Sequence, residues 1–284
     1  MSDLEHFERS LRRVLWELRP YLDTIVVIGG WVPHLYQRYG GFAAWRSRLA
    51  LTAEVDVMTE RALPADGRPP LSQLLRESGF EPRARAGGLA VWEGDLMAGE
   101  KVEFLVEHRG TALQVGTIVP IVGQPGLGAI SLPGLAVMMR FRQPLKIPFA
   151  TGGPETLDVW VPRLGAYLVN KAQTYAARKS SADGGDSKAG KDLLYIRDVM
   201  AAGPEVVRRI EADLAEIATK NREAVRHAAS LLHLSLGGAQ AELRSAARIL
   251  AEREPGISFE AAVADMRGHL ADACELLDEA LRRR

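Results

Sequence analysis

The chain has 284 residues, 47% apolar and 25% charged, with 27 glycines and 15 prolines, which excludes collagen, coiled-coil fibre and a disordered chain and suits one large or two ordinary domains. Thirty-six Lys and Arg balance 36 Asp and Glu, so any nucleic-acid contact has to come from a local patch rather than from bulk positive charge. Cys274 stands alone, which excludes an intramolecular disulfide or a cysteine zinc cluster and fits a reducing, cytoplasmic setting.

Leu4, Phe7, Leu11, Val14, Leu15 and Leu18 recur every three or four positions and predict an amphipathic helix that Pro20 stops. Charges interrupt this segment, so it does not read as a signal peptide, and no run of about 18 apolar residues follows anywhere, so no membrane segment is expected. Residues 24–28 are apolar on both faces and predict a strand inside a sheet, ended by Gly29 and Gly30 where residues 31–39 open a helix. Residues 53–58 and 101–106 alternate apolar with charged side chains, and each predicts a strand with one face on a core and one toward a cleft. Between them, residues 71–77 with Gly79 predict a short helix and its cap, and residues 89–92 another strand.

Residues 119–134 are rich in Gly and Pro, and residues 145–161 mix short apolar runs with turns such as 151–154, which predicts an irregular stretch with short strands. Helical spacing resumes at 163–179, and residues 180–187 have the composition of a flexible loop. Beyond residue 191 the patterns are helical, at 204–236, 240–253 and 259–283, separated by Gly237-Gly238 and Pro255-Gly256. Strands first and helices after predict an α+β fold, with a mixed-sheet core over residues 1–162 and a helical domain over 163–284.

Glu54 and Asp56, two apart on a strand, point to the same face, and Glu103 on a second strand can add a third carboxylate. Three converging carboxylates repel one another unless a cation sits among them, and Mg²⁺ favours one or two carboxylates, waters and phosphate oxygens. Gly29-Gly30 at a strand-to-helix turn allows a phosphate close to the backbone and to free N–H groups. Lys171 and Arg178 lie seven apart, on nearly one face of a helix, where one cation could hold a triphosphate and the other brace a carboxylate. The competing readings are structural. Glu54 and Asp56 could form a solvated strand face, Lys101 and Glu103 the open side of an edge strand, and Lys171, Arg178 and Asp192 an ordinary charged helix surface. Trp31 could stack a nucleobase or pack into the core, and His34 could sit on a helix surface. Arg282 to Arg284 read most simply as a solvated helix end.

Ile28-Gly29-Gly30-Trp31, then Glu54-Val55-Asp56, then Glu103 on a later strand resemble the polymerase-β-type nucleotidyltransferase pattern. Downstream, Lys171 with Arg178 and Lys191-Asp192 are similar to the motifs of AbiEii-like toxins, including the MenT group. The resemblance spans residues 20–200. It departs at Glu54, where the family usually has Asp, in a long separation from Gly-Gly to the acids, at Ser187 in place of Arg, and at Tyr195, where a second acid commonly follows.

The resemblance implies a nucleotidyltransferase-type sheet and a two-Mg²⁺ reaction that moves a nucleoside monophosphate from an NTP to a hydroxyl. Glu54, Asp56 and Glu103 would be metal ligands, with Gly29, Gly30, Trp31, Lys171 and Arg178 on the nucleotide side and Lys171 and Asp192 among the catalytic groups. It further implies a tRNA 3′-end acceptor held by the helical half and a toxin role restrained by an antitoxin protein. Arg208, Arg209, Arg222 and Arg226 are the candidate acceptor-phosphate cluster. Transfer to a protein or small-molecule hydroxyl, and a nucleotide-binding scaffold without turnover, are the alternatives.

Overall fold

The computed structural model describes residues 3–42, 44–49, 52, 54–64, 66–85, 88–94, 100–110, 115–148, 156–179, 185–238 and 240–283. The chain forms two compact units, Met1–Gly40 with Leu51–Pro162, and Gly41–Ala50 with Arg163–Arg284. Residues 41–50, which the sequence reading placed with the core, thus belong to the second unit.

The first unit is an α+β layer. It carries helix α1 (Asp3–Glu17), a short 3-10 turn, strand β1 (Val26–Ile28) and helix α2 (Trp31–Tyr39), then β2 (Glu54–Met58), α3 (Leu71–Glu77), β3 (Glu81–Arg85), β4 (Gly88–Glu93) and β5 (Lys101–Glu107). It closes with β6 (Ile118–Pro120), β7 (Gly128–Leu132), α4 (Leu135–Arg140), β8 (Arg142–Pro148) and β9 (Thr156–Pro162). The main sheet runs β1-β2-β5-β4-β3, with β7 also on β5 and β6 on β7. It is mixed, because β2 and β7 lie parallel to β5 while β1 is antiparallel to β2 and β4 antiparallel to β5. The competing reading of Lys101 and Glu103 as the open side of an edge strand fails here: β5 is paired on both sides.

Burial explains the strand patterns. All three residues of β1 are buried, as its unbroken apolar run requires, whereas β2 buries Val55 and Val57 and leaves Glu54 and Asp56 half-exposed. The irregular stretch expected over 119–161 is instead largely regular, and β8 and β9 pair along their whole seven-residue lengths. Leu145, Ile147, Val159 and Val161 fill its buried face. Pro144 and Pro148 are tolerated because each strand of this two-stranded ribbon has an open edge where a missing N–H costs nothing. The turn expected at 151–154 lies outside the described residues.

The second unit holds six helices, α5 (Leu164–Lys179), α6 (Gly185–Met200), α7 (Pro204–Lys220), α8 (Arg222–Gly238), α9 (Gln240–Arg253) and α10 (Phe259–Arg282), and no strand among its described residues. Of the loop expected at 180–187, residues 180–184 lie outside the described residues, and α6 begins at Gly185. The single helix expected over 204–236 is two. Asn221 leaves the helical region at φ −154°, and its side chain accepts from Ala224 N at 3.4 Å to start the next helix. Where α5 meets α7, a Cβ on Gly165 would lie 2.7 Å from that of Asp213, whose carboxylate accepts from Gly165 N at 3.3 Å. Among the described residues no helix is long and apolar enough to cross a membrane.

A buried ionic network ties this unit together. Asp198 accepts both Arg253 nitrogens at 2.7 and 2.6 Å, and Arg197 bonds Glu254 at 3.0 Å and Asp265 at 2.6 Å. The Asp198 carbonyl also accepts from Ser47, and Ala202 O from Arg46 N, so residues 41–50 are held by α6 and the turn after it. Asp198 therefore has a full set of partners within the second unit. Removing it leaves two largely buried guanidiniums short of a partner, so Asp198→Ala should lower stability by about 3–5 kcal/mol, read from urea unfolding followed by circular dichroism.

Candidate functional site

Sheet register assembles the first cluster. Asp56 is opposite Ile28 on one side and Glu103 on the other, and Glu54 is opposite Lys101. One oxygen from each of Glu54, Asp56 and Glu103 lies within 4.8 Å of the others, and all three residues are half-exposed. Oxygens facing each other across Mg²⁺ or Ca²⁺ are about 4–5 Å apart, so the three residues fit a hard divalent cation in spacing and in ligand type.

Lys101 was absent from the expected site, and it sits in the middle of the charge. Its Nζ lies 2.6 Å from Glu54 Oε1 and 2.6 Å from Glu103 Oε1. The ammonium provides the positive charge these carboxylates require. Burial, and next the charge of Glu54, hold the Glu103 carboxyl above its usual range, with Lys101 acting the other way. Burial works against the Lys101 ammonium, but its bonds to Glu103 and Glu54 outweigh burial and raise its pKa. Period two would have placed Lys101 on the acid face, since it is two residues before Glu103.

The glycine turn is built against the same carboxylate. Gly29 has φ +72°, and a Cβ there would lie 1.9 Å from Asp56 Oδ2. Gly30, at φ −67°, caps α2 in ordinary helical geometry. Trp31 is 2% exposed, and its indole nitrogen is buried with no partner among the described residues. Of the two readings of Trp31, the structure bears out packing into the core, which leaves no exposed ring for the nucleotide-side place the resemblance implies.

Lys171, Arg178 and Asp192 belong to the second unit and form their own cluster. Asp192 is fully buried on α6 and receives Lys171 Nζ at 3.0 Å on one oxygen and Arg178 at 2.7 Å on the other, both from α5. The Lys171 ammonium also lies 5.5 Å from the Tyr167 ring centre and 5.0 Å from that of Tyr195. The charged-surface reading thus fails for Lys171 and Asp192, both buried, and Tyr195 has a role of its own against Lys171.

The four candidate acceptor arginines do not make one patch. Arg208 and Arg209 sit near the start of α7, and Arg222 and Arg226 follow the turn at its far end, about 18 Å along the helix axis. Arg209 bonds Asp213, and Arg222 bonds the Leu281 carbonyl. Arg283 pairs with Glu211, and Arg284 lies outside the described residues.

No family model matches the chain, and neither a curated protein nor a solved structure matches it.

Two outcomes test the cluster. Gly29→Ala combines a disfavoured backbone with a collision against Asp56, so it should cost about 1–3 kcal/mol and weaken Mn²⁺ binding, read by unfolding and by calorimetric titration. Because the folded pKa of Glu103 lies above its ordinary value of 4.5, the folded state holds that proton more tightly than the unfolded state does. Ionising Glu103 therefore removes stability as pH rises through that window. The melting temperature of Glu103→Gln relative to the parent, measured in EDTA, should climb as pH rises from about 4.

Proposed function

We propose that the chain is a divalent-metal-dependent nucleotidyltransferase, moving a nucleoside monophosphate from an NTP to a hydroxyl with release of pyrophosphate. The observation that carries this reading is the register of β1, β2 and β5, which gathers Asp56, Glu103 and Glu54 beside the Gly29 turn. Glu54, Asp56 and Glu103 would hold Mg²⁺, two ions by the resemblance described above. Bound metal supplies charge neutralisation for the triphosphate and a lowered pKa for the attacking hydroxyl.

The chain's own groups have separable tasks. Asp56 is held in place by the sheet and by the backbone of Gly29, so its carboxylate is oriented before any ligand arrives. Lys101 competes with a divalent ion for Glu54 and Glu103, which keeps the carboxylates together when the ion is away. Lys171 is committed to Asp192, so the pyrophosphate-neutralising role implied by the resemblance requires it to exchange that partner. Asp192, joined to Lys171 and Arg178 of α5, braces α5 against α6.

The tRNA 3′ end as acceptor, the toxin role and an antitoxin partner rest on the motif resemblance alone. A protein or small-molecule hydroxyl is favoured by the zero net charge, and a scaffold without turnover by the ion pairs Lys101 makes with Glu54 and Glu103.

One assay separates them: the protein with each α-phosphate-labelled NTP, Mg²⁺, and either total tRNA or protein extract. Label is expected in tRNA and should disappear in Asp56→Ala at unchanged circular dichroism. Label in the protein fraction moves the acceptor, and no label in any pool overturns the transfer reading. Lys101→Met removes the competing charge and should tighten Mn²⁺ binding about tenfold by titration, whereas weaker binding would show that Lys101 does not compete.

A further inference from the structure

The first unit has a cleft of about 540 Å³ at the C-terminal ends of β2 and β5, beyond the acidic cluster and outside every motif described above. Arg61, Arg109, Arg140 and Arg142 line it together with Trp160. Among the described residues, none of these four guanidiniums is within ion-pair distance of a carboxylate. The nearer interactions are of other kinds. Arg142 donates to Met139 Sδ and lies 5.0 Å over the Trp160 ring, Arg140 lies 5.6 Å over that of Phe141, Arg61 donates to the Glu107 carbonyl at 3.4 Å, and the charge of Arg109 acts on the Glu107 carboxylate from beyond ion-pair distance. Arg61 Nε is buried and has no hydrogen-bond partner among the described residues.

Two acids share the cleft, Glu60 and Glu107. Glu107 is already engaged, accepting from Gly134 N at 3.3 Å and Ala136 N at 2.6 Å. Four permanent positive charges against two acids, one of them held by the backbone, leave a positive cleft in a chain whose total charge is zero. Guanidinium matches phosphate in geometry and charge, and the indole of Trp160 offers a flat apolar surface. The size falls within the range of small-ligand pockets, about 300–1,000 Å³.

We propose that this cleft binds a nucleoside phosphate, with the arginines on the phosphate and Trp160 against the base, at a site separate from the acidic cluster. The phosphate comes either from a free nucleotide or from the end of an RNA strand. Met58 lies two residues beyond Asp56 and Glu107 four beyond Glu103, on the same sheet face, so the two places are about 7–13 Å apart along the strands. If the transfer reading above holds, a strand seated here directs its terminal hydroxyl toward the acids. The binding itself does not depend on that reading.

The test is direct binding by the full chain in EDTA, with no NTP present. The probes are a fluorescein-labelled single-stranded RNA of mixed sequence, read by anisotropy, and unlabelled nucleoside monophosphates as competitors. Arg109 and Arg140 are both exposed, so the double variant Arg109→Ala/Arg140→Ala should keep its circular dichroism, and the single Arg140→Ala replaces it if it does not. The variant should bind the RNA about tenfold more weakly at low salt, with a shallower slope of log affinity against log salt. Asp56→Ala should bind within about twofold of the parent, because the acids are not part of this site.

Competition by monophosphates assigns the cleft to free nucleotides, and RNA binding without such competition assigns it to the strand. Parent-like binding by the arginine variants, an equal loss in Asp56→Ala, or no binding of either probe to the parent would each overturn the proposal. A protein that binds as expected but transfers no label leaves the cleft standing and removes only the transfer reading.

Discussion

Three carboxyl groups on two neighbouring strands of one sheet stand together only where a cation or a retained proton offsets their repulsion. Glu54, Asp56 and Glu103 bring an oxygen each within 4.8 Å of the others, at positions where water screens them only in part. In this structure part of the balancing charge comes from the chain, through Lys101, which is opposite Glu54 and bonded to both glutamates. The organisation of the first unit follows from holding that face together. β5 lies at the centre so that its charged residues meet those of β2, and β1 ends in a glycine because Asp56 occupies the space a side chain would need.

The second unit solves a similar problem by a different route. Asp192 and Asp198 are fully buried acids on α6, six residues apart, and each receives two cations. Asp192 is served by α5, and Asp198 by Arg253 of α9 and its neighbour Arg197. Such pairs add little net stability over an apolar core, but they penalise any helix register that separates the partners. An exchange of partners at Asp192 is the kind of change a charged ligand could drive.

Period-two and helical patterning made much of this legible from the sequence. The buried strand before Gly29, the acid-bearing strands at 54–58 and 101–107 and the helical second half follow from spacing alone. What was hidden had local causes. The short apolar runs within 145–161 read as irregular because only their pairing with each other makes them the two strands β8 and β9. Asn221 interrupts a helical pattern whose apolar period continues through Val225, Ala228 and Leu232, so only its capping chemistry marks the break. Lys101 was readable as an acid-face residue but carries the charge opposite to a ligand's, and it becomes part of the site only once the register pairs it with Glu54. The arginines of the cleft, at 61, 109, 140 and 142, are scattered over some eighty positions, and folding alone gathers them.

The chain's early excursion into the second unit bears on how the molecule can be made and divided. Gly41–Ala50 is synthesised long before the helices that hold it, and the partners of Arg46 and Ser47 lie on α6 and at Ala202. A nascent chain that has completed its strands at Pro162 therefore still carries an unsatisfied strap, which finds its bonds only after about 40 further residues, up to Ala202, emerge. Cutting the protein after Pro162 would strand that segment on the wrong fragment, while the helices would lose the strap that caps the end of α6. An independently folding version of either half calls for a redesigned connection across residues 41–50, not a simple truncation.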